Sequence, residues 1–302
     1  MATKYPYAKK PFVSSIPLWM RTDQPRQTGM DYWKGPHSKI ISATPGFEEY
    51  RQIHLAEHNP GLWPATRGVE TSIPDDRRID GVAEVTFRSV LSPLLGRKQT
   101  RLAFQDEANV FRRTLLYAGP PNSARWYAVA GPGEKVRAAQ AGLGRIAVTE
   151  EADALDVDRL AVQHREAVLA HGVLAGARAL LYLRRRDGVR TGAFRKHVNE
   201  LARTLAGTGV LRELRTQVFM PWNEKLWDTP NVAHDNPADQ RFHASLLLGF
   251  ADPTARAAFF KSPEVASLSD TLAPFASAIH AYDVTDALTY VKDGKELPHY
   301  QR

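Results

Sequence analysis

The chain has no cysteine among its 302 residues. That absence removes a disulfide framework, thiolate metal ligation and a cysteine nucleophile together, and a zinc ion would have to be held by histidine and carboxylate alone. Long apolar runs are missing as well. Nothing approaches a bilayer span, and the N-terminal MATKYPYAKKPFVSSIPLWMR has no apolar stretch of signal-peptide length. These features read as a cytoplasmic protein with no membrane partner. There is no GxxxxGK[ST] loop, GxSxG elbow, HExxH or His-x-His pair, and the glycines of GPGEKVRAAQAGLG lack the strand-anchored GxGxxG spacing. The basic excess is modest, 40 Lys+Arg against 33 Asp+Glu for a net charge of +7. Its one cluster, Arg184, Arg185 and Arg186 before Asp187-Gly188, reads as a solvated strand end and turn, so nucleic acid is not an expected partner.

What is present is length enough to bury a large core, and a pattern that repeats. After a Lys- and Pro-bearing arm, residues 12–21 read as a strand. Thr28 is a plausible N-cap for a helix whose stripe is Met30, Trp33, His37, Ile40 and Ile41, stopped by Pro45-Gly46. Residues 47–55 alternate as a strand does, 79–87 supply a third strand, 101–113 a second helix, and 115–127 a fourth strand. The same order recurs as strand 179–185, helix 191–205, strands 210–219 and 242–250, helical 253–273 with Ser262-Pro263 opening its second helix, and strand 278–284. Thr28-Gly29 matches Thr191-Gly192, Gly46 matches Gly209 and Phe87 matches Phe250, each at an offset of 163 residues, which argues for a duplication.

The expected fold class is therefore α+β, with two tandem ferredoxin-like βαββαβ units whose antiparallel sheets pair face to face into an α/β barrel. Residues 1–128 would form the first unit, 129–176 a linker with a helix at 155–173, and 177–302 the second unit. The interior of such a barrel is a ready ligand cavity.

The first half resembles the EthD family of dimeric α/β-barrel proteins. The residues that carry the likeness are Tyr32, Trp33 and His37 in DYWKGPHSKII, then PGFEEYRQIH, IDGVAEVTF and FQDEANVF, across roughly residues 12–127. The second half resembles the family in layout more than motif, for Glu200, Glu213 and Gln217 stand at the offset positions of His37, Tyr50 and His54. The resemblance implies metal-free cyclases, isomerases, decarboxylases, dehydratases or monooxygenases acting on phenolic or polyketide-like molecules, with haem-binding branches beside them.

Tyr50, Gln52 and His54 share one strand face by their period-two spacing, and such polar groups inside a barrel need a purpose. Tyr50 and His54 are the expected acid–base pair, with His37 in support and Gln52 and Trp33 at the substrate. A solvated face for the trio, and a satisfied helix–sheet histidine for His37, are the structural alternatives. His243 with Ser245, His280 with Tyr282, and the loop bearing Trp222, Trp227 and His234 are expected to shape or complete the cavity around an aromatic ligand. The leading expectation is a cofactor-independent lyase or cyclase-type enzyme for a small aromatic or polyketide-like compound. Alternatives are a haem enzyme with His234, His243 or His280 as axial ligand, and a non-catalytic barrel holding an apolar ligand. A homodimer is also compatible with the sequence.

Overall fold

The computed structural model describes residues 5, 7–129, 176–227 and 229–297. The expected linker and its helix lie outside the described residues. The first half contains β1 (Tyr7–Lys10), β2 (Phe12–Met20), α1 (Arg26–Tyr32), a π-helical turn (Trp33–His37), α2 (Ser38–Ser42), β3 (Phe47–Leu55), β4 (Gly81–Phe87), α3 (Ser92–Leu95), α4 (Arg97–Val110), β5 (Phe111–Thr114), β6 (Tyr117–Ala118) and β7 (Ala124–Tyr127). The second contains β8 (Ala177–Arg185), α5 (Thr191–Gly207), β9 (Glu213–Val218), β10 (Ala244–Phe250), α6 (Pro253–Phe260), α7 (Pro263–Asp270), β11 (Ala276–Lys292) and β12 (Lys295–Glu296).

The sheet runs β3-β4-β2-β5 in the first half and β9-β10-β8-β11 in the second, the ferredoxin-like order twice over. The duplication is visible in the elements, since β4 and β10 have the same length and start 163 residues apart. Gly46 and Gly209 both take left-handed backbone, at φ 91° and 70°, between the first helix and second strand of their halves. Closure comes from the last strands. The 17-residue β11 pairs with β8 through its first part and with β3 through its second. On the opposite side β6 pairs with β2, Met220 N–H donates to Ala118 O at 2.8 Å, and β7 continues onto β9. Each half thus lends its last strand to the other, and the barrel closes within one chain.

Several elements differ from the sequence expectation for local reasons. The first helix starts at Arg26 behind Pro25 rather than at Thr28, because proline's fixed φ suits a helix entry and no side chain caps it. The second helix stops at Val110, where Phe111 turns extended to pair with β2. The expected fourth strand is split into β5, β6 and β7, and the last strand runs on to Lys292 because β3 is there to pair with it. Asp252 and Ser262 cap α6 and α7, so the helical stretch is indeed two helices. The arginine cluster is not simply solvated: Arg184 pairs with Glu70 at 3.0 Å, and Arg186 donates to the carbonyls of Gly68, Ala273 and Ala276.

β3 faces opposite to the expectation from its sequence. Its odd residues, not its even ones, enter the barrel. Ile53 and Leu55 join Val82, Leu180, Tyr182, Leu247 and Tyr282 in an interior core, while Tyr50, Gln52 and His54 point towards the helices. Beside this core the interior holds a group of ion pairs. Arg51 meets Glu213 at 2.8 Å, Arg178 meets Glu213 at 2.8 Å, and Arg215 reaches Glu49 at 2.5 Å and Glu84 at 2.8 Å. The void left among Ser15, Glu84, Arg215 and Gln217 measures about 10 Å³, room for one water at most. The barrel interior is therefore a filled core rather than the expected ligand cavity.

Burial alone would raise the carboxyls of Glu49 and Glu213, but Arg215, Lys292 and Arg51 around the first, and Arg51, Arg215 and Arg178 around the second, hold both well below the ordinary 4.5. A depressed carboxylate stabilises the fold fully above its unfolded value and loses that contribution as pH falls through the folded one. The denaturation midpoint is therefore expected to fall progressively below pH 4.5. Glu213→Gln should cost about 3–5 kcal/mol in urea melts near neutral pH and show a flatter acid limb. Equal acid slopes in the two proteins would contradict this.

Candidate active site

The roomy cavity lies on the other side of the first sheet. It measures about 340 Å³ and sits between the helix-facing side of β2, β3 and β4 and the helices above it, with Met220, Leu226 and Trp227 of the second half at one end. Its wall is mostly apolar and aromatic, with Ile16, Leu18, Phe47, Val85, Phe104 and Phe111 prominent, and no Lys or Arg lines it. Three titratable side chains enter this wall: His37, Tyr50 and Glu107.

His37 is carried in by the π-helical turn. Pro36 lacks the N–H an α-helix needs there, and the widened turn buries both Trp33 and His37. The carbonyls so released are satisfied from below. Gln52 Nε2 donates to Trp33 O at 2.8 Å, the Tyr290 hydroxyl donates to Lys34 O at 2.7 Å, and Ser38 Oγ donates to Lys34 O at 2.8 Å. His37 Nδ1 donates to Asp106 Oδ2 at 2.8 Å, and the Tyr32 hydroxyl donates to the other oxygen at 2.9 Å. Burial works against the Asp106 charge, yet the bonds from His37, Tyr32 and Asn109 keep its carboxyl below the usual value. The imidazole is thereby oriented with its remaining nitrogen free of this pair.

Glu107 is the residue that sequence reasoning missed. It is buried on α4, where Thr229 Oγ1 donates to its Oε2 at 2.7 Å and Trp227 Nε1 does so at 3.4 Å. Burial pushes its carboxyl up to about 7, with the neighbouring Asp106 charge adding to the rise. A signal was present: Ala103, Phe104, Glu107, Val110 and Phe111 recur at helical spacing, which puts one carboxylate on an otherwise apolar stripe. Trp227 stands edge-on to Phe104 with ring centroids 4.6 Å apart, so the two rings wall the cavity together and Trp227 also steadies the carboxyl.

Tyr50 reaches the cavity, as a phenol whose oxygen accepts from Gln52 Nε2 at 2.9 Å. Burial raises it above its ordinary value, so it stays protonated and available as a donor. His54 does not reach the cavity. It stacks behind Trp33 with centroids 4.5 Å apart, donates from Nε2 to Gln52 Oε1 at 3.0 Å, and is held neutral by burial at about 3. The trio thus shares one face, as its spacing implies, but as a buried relay in which Gln52 separates Tyr50 from His54. They do not form an acid–base pair.

The second-half residues do not converge on one ligand. Of those expected at the site, Trp227 alone lines the cavity. Trp222 flanks the barrel's aromatic core under the Arg241 guanidinium, 4.9 Å from its ring. His234 Nδ1 donates to Thr114 O at 2.8 Å and its Nε2 accepts from Thr229 N–H at 2.9 Å, which pins the loop carrying Thr229 beside Glu107. His243 lies against Phe194 of α5 and accepts from Arg185 N–H at 3.2 Å. His280 is buried in the barrel with Nε2 2.6 Å from Glu70, and the Tyr282 hydroxyl donates to Arg77 O at 2.9 Å. Haem would need an imidazole facing a slot, so His234, His243 and His280 do not fit as its axial ligands. Among the described residues no cluster of His, Asp and Glu is arranged to hold a metal ion.

No protein-family model matches the sequence, and no curated protein matches it. Solved structures resemble it along nearly its whole length at very low identity. A proposed monooxygenase from Lactobacillus acidophilus NCFM is 10% identical with a TM-score of 0.47, covering 94% of this chain and 98% of that one. An anthrone oxidase-like protein is 7% identical with a TM-score of 0.48, covering 99% and 98%. A chlorite dismutase variant from Candidatus Nitrospira defluvii is 6% identical with a TM-score of 0.39, covering 92% of each chain. At such identities and scores they assign no activity to this chain.

The Glu107 carboxyl is protonated more readily in the fold than in the unfolded chain. Its contribution to stability is full below the unfolded value of 4.5 and is lost as pH rises through about 7. Glu107→Gln is therefore expected to gain about 2–3 kcal/mol on the parent between pH 4.5 and about pH 8. Urea melts at the two pH values measure it, and the same difference at both would contradict the raised carboxyl.

Proposed function

We propose that the protein is an enzyme that moves protons on a small aromatic or polyketide-like compound held between the first sheet and its helices. One observation carries the reading: a buried carboxyl brought to about 7, Glu107, in an aromatic-walled cavity of about 340 Å³. Near neutral pH such a group exists in both forms, which suits a general base that must also give its proton back.

In this reading a planar substrate lies against Phe104 and Trp227. The Glu107 carboxylate takes a proton from an acidic carbon or a phenol, and Tyr50 donates a hydrogen bond to the enolate or phenolate oxygen that forms. The protonated Glu107 then gives that proton back at a second position, while His37, held through Nδ1 by Asp106, offers its other nitrogen to orient the substrate. Net proton transfer of this kind serves lyase, cyclase and isomerase chemistry alike, and the same enolate is the species that an oxygenase reaction would consume. No cofactor enters these steps. His54 and Gln52 act through Trp33 and Tyr50, as positioning residues, and the non-catalytic reading would keep the cavity and lose the proton transfer.

Exchange of the α-protons of 2-tetralone with deuterated water, followed by proton NMR, tests the proposal without knowledge of the natural substrate. The wild type is expected to accelerate exchange with a pH midpoint near that of Glu107. Glu107→Gln should lower the rate by about 10²–10⁴-fold, and Tyr50→Phe by a smaller factor. Exchange no faster than in buffer, or undiminished in Glu107→Gln, would remove the assignment.

A further inference from the structure

One surface segment inverts the usual arrangement of side chains. In the stretch from Val90 to Leu102, Ser92 and Gly96 are buried, whereas Val90, Leu91, Leu94, Leu95 and Leu102 are 48%, 65%, 54%, 69% and 46% exposed. They account for five of the seven exposed large hydrophobic residues among those described. The inversion follows from what lies beneath. A Cβ at Gly96 would stand 2.6 Å from Thr44 Cγ2, and at Gly46 the neighbour is Ser92, so only small residues fit on the inner side. Ser92 is fixed there by Ser89, whose N–H donates to its Oγ at 3.1 Å. The leucines are left facing outward by construction.

Their spacing makes one stripe. Leu91, Leu94, Leu95, Lys98, Arg101 and Leu102 follow one another at helical intervals, and all are exposed. The sequence from Arg88 to Leu102 contains four basic residues and no acidic one. The stripe also adjoins the cavity. Pro93, Thr100 and Phe104, which are partly exposed, and Leu226, which is 49% exposed, line its wall and mark where it meets solvent.

We propose that this leucine and basic face seats the protein on an anionic lipid surface, with the cavity mouth beside it. Exposed leucines interleaved with Lys and Arg suit the boundary between acyl chains and negative headgroups. A second copy docking face to face would set Lys98 and Arg101 against their own like, and so is disfavoured by charge. No helix among the described residues is long and apolar enough to cross a membrane, and a surface contact requires none. An apolar compound could then pass from the bilayer to the cavity without crossing water. The contact stands apart from the role proposed for Glu107.

Vesicle flotation tests it. The wild type is expected to rise with vesicles of phosphatidylcholine containing about 30% phosphatidylglycerol, less so in high salt, and to stay behind with phosphatidylcholine alone. Leu94→Ser with Leu95→Ser, and Lys98→Glu with Arg101→Glu, should each lower partitioning by about tenfold or more, with circular dichroism melts unchanged. Glu107→Gln should float as the wild type does. Failure of the wild type to rise with the anionic vesicles would overturn the proposal, as would double variants that rise equally well. A wild-type dimer in sedimentation velocity that the leucine variant dissociates, without vesicle binding, would make the face a contact between copies and overturn it too.

Discussion

The ion pairs inside the barrel govern where everything else in this molecule can stand. Arg51 with Glu213, and Arg215 with Glu49 and Glu84, join the two halves across the interior and occupy it. Such buried charges cost desolvation, so they contribute less to net stability than to register: a slip of one residue in β3 would strand Arg51 and Glu49 unpaired against the helices. With that register held, Tyr50 must face outward, and the space available to a ligand is the gap between sheet and helices.

That gap exists because the helical cover of the first half is irregular. Pro36 widens one turn, and α4 begins only at Arg97 after the small α3. The second half is the useful contrast. There the uninterrupted α5 lays Phe194, Val198, Leu201, Ala202 and Leu205 onto the sheet in a continuous buried core. One copy of the duplicated unit carries that continuous core, and the other is opened around Glu107, His37 and Tyr50. A cavity with an ionisable group in it sacrifices packing and solvation together, an expense that a scaffold has no reason to carry.

Much of the fold was legible in the sequence because it rests on local signals. Helical and strand periodicities placed most elements, and the repeat at 163 residues, anchored by Gly46 and Gly209, implied two like units. The face of β3 was not legible. Both of its faces carry polar residues, Glu49 and Arg51 on one and Tyr50, Gln52 and His54 on the other, so alternation alone could not say which pointed inward. Only the partners decide, Glu213 and Arg215 across the barrel and the Trp33 carbonyl under the widened turn. The second-half histidines misled for a related reason: sequence counts chemically able residues, while His234, His243 and His280 are each tied by at least one ring nitrogen to a loop carbonyl, a backbone amide or Glu70. Glu107 was readable as a lone acid on an apolar helix stripe, and its value came from burial that no local pattern reports.

If the filled barrel excludes ligands, they must enter the gap beneath α4. A crystal structure of the protein soaked with 2-naphthol tests this directly. The naphthol ring is expected between Phe104 and the first sheet, with its hydroxyl at hydrogen-bond distance from Glu107 or Tyr50. Naphthol bound inside the barrel or beside His280, with the gap beneath α4 left without it, would contradict the account.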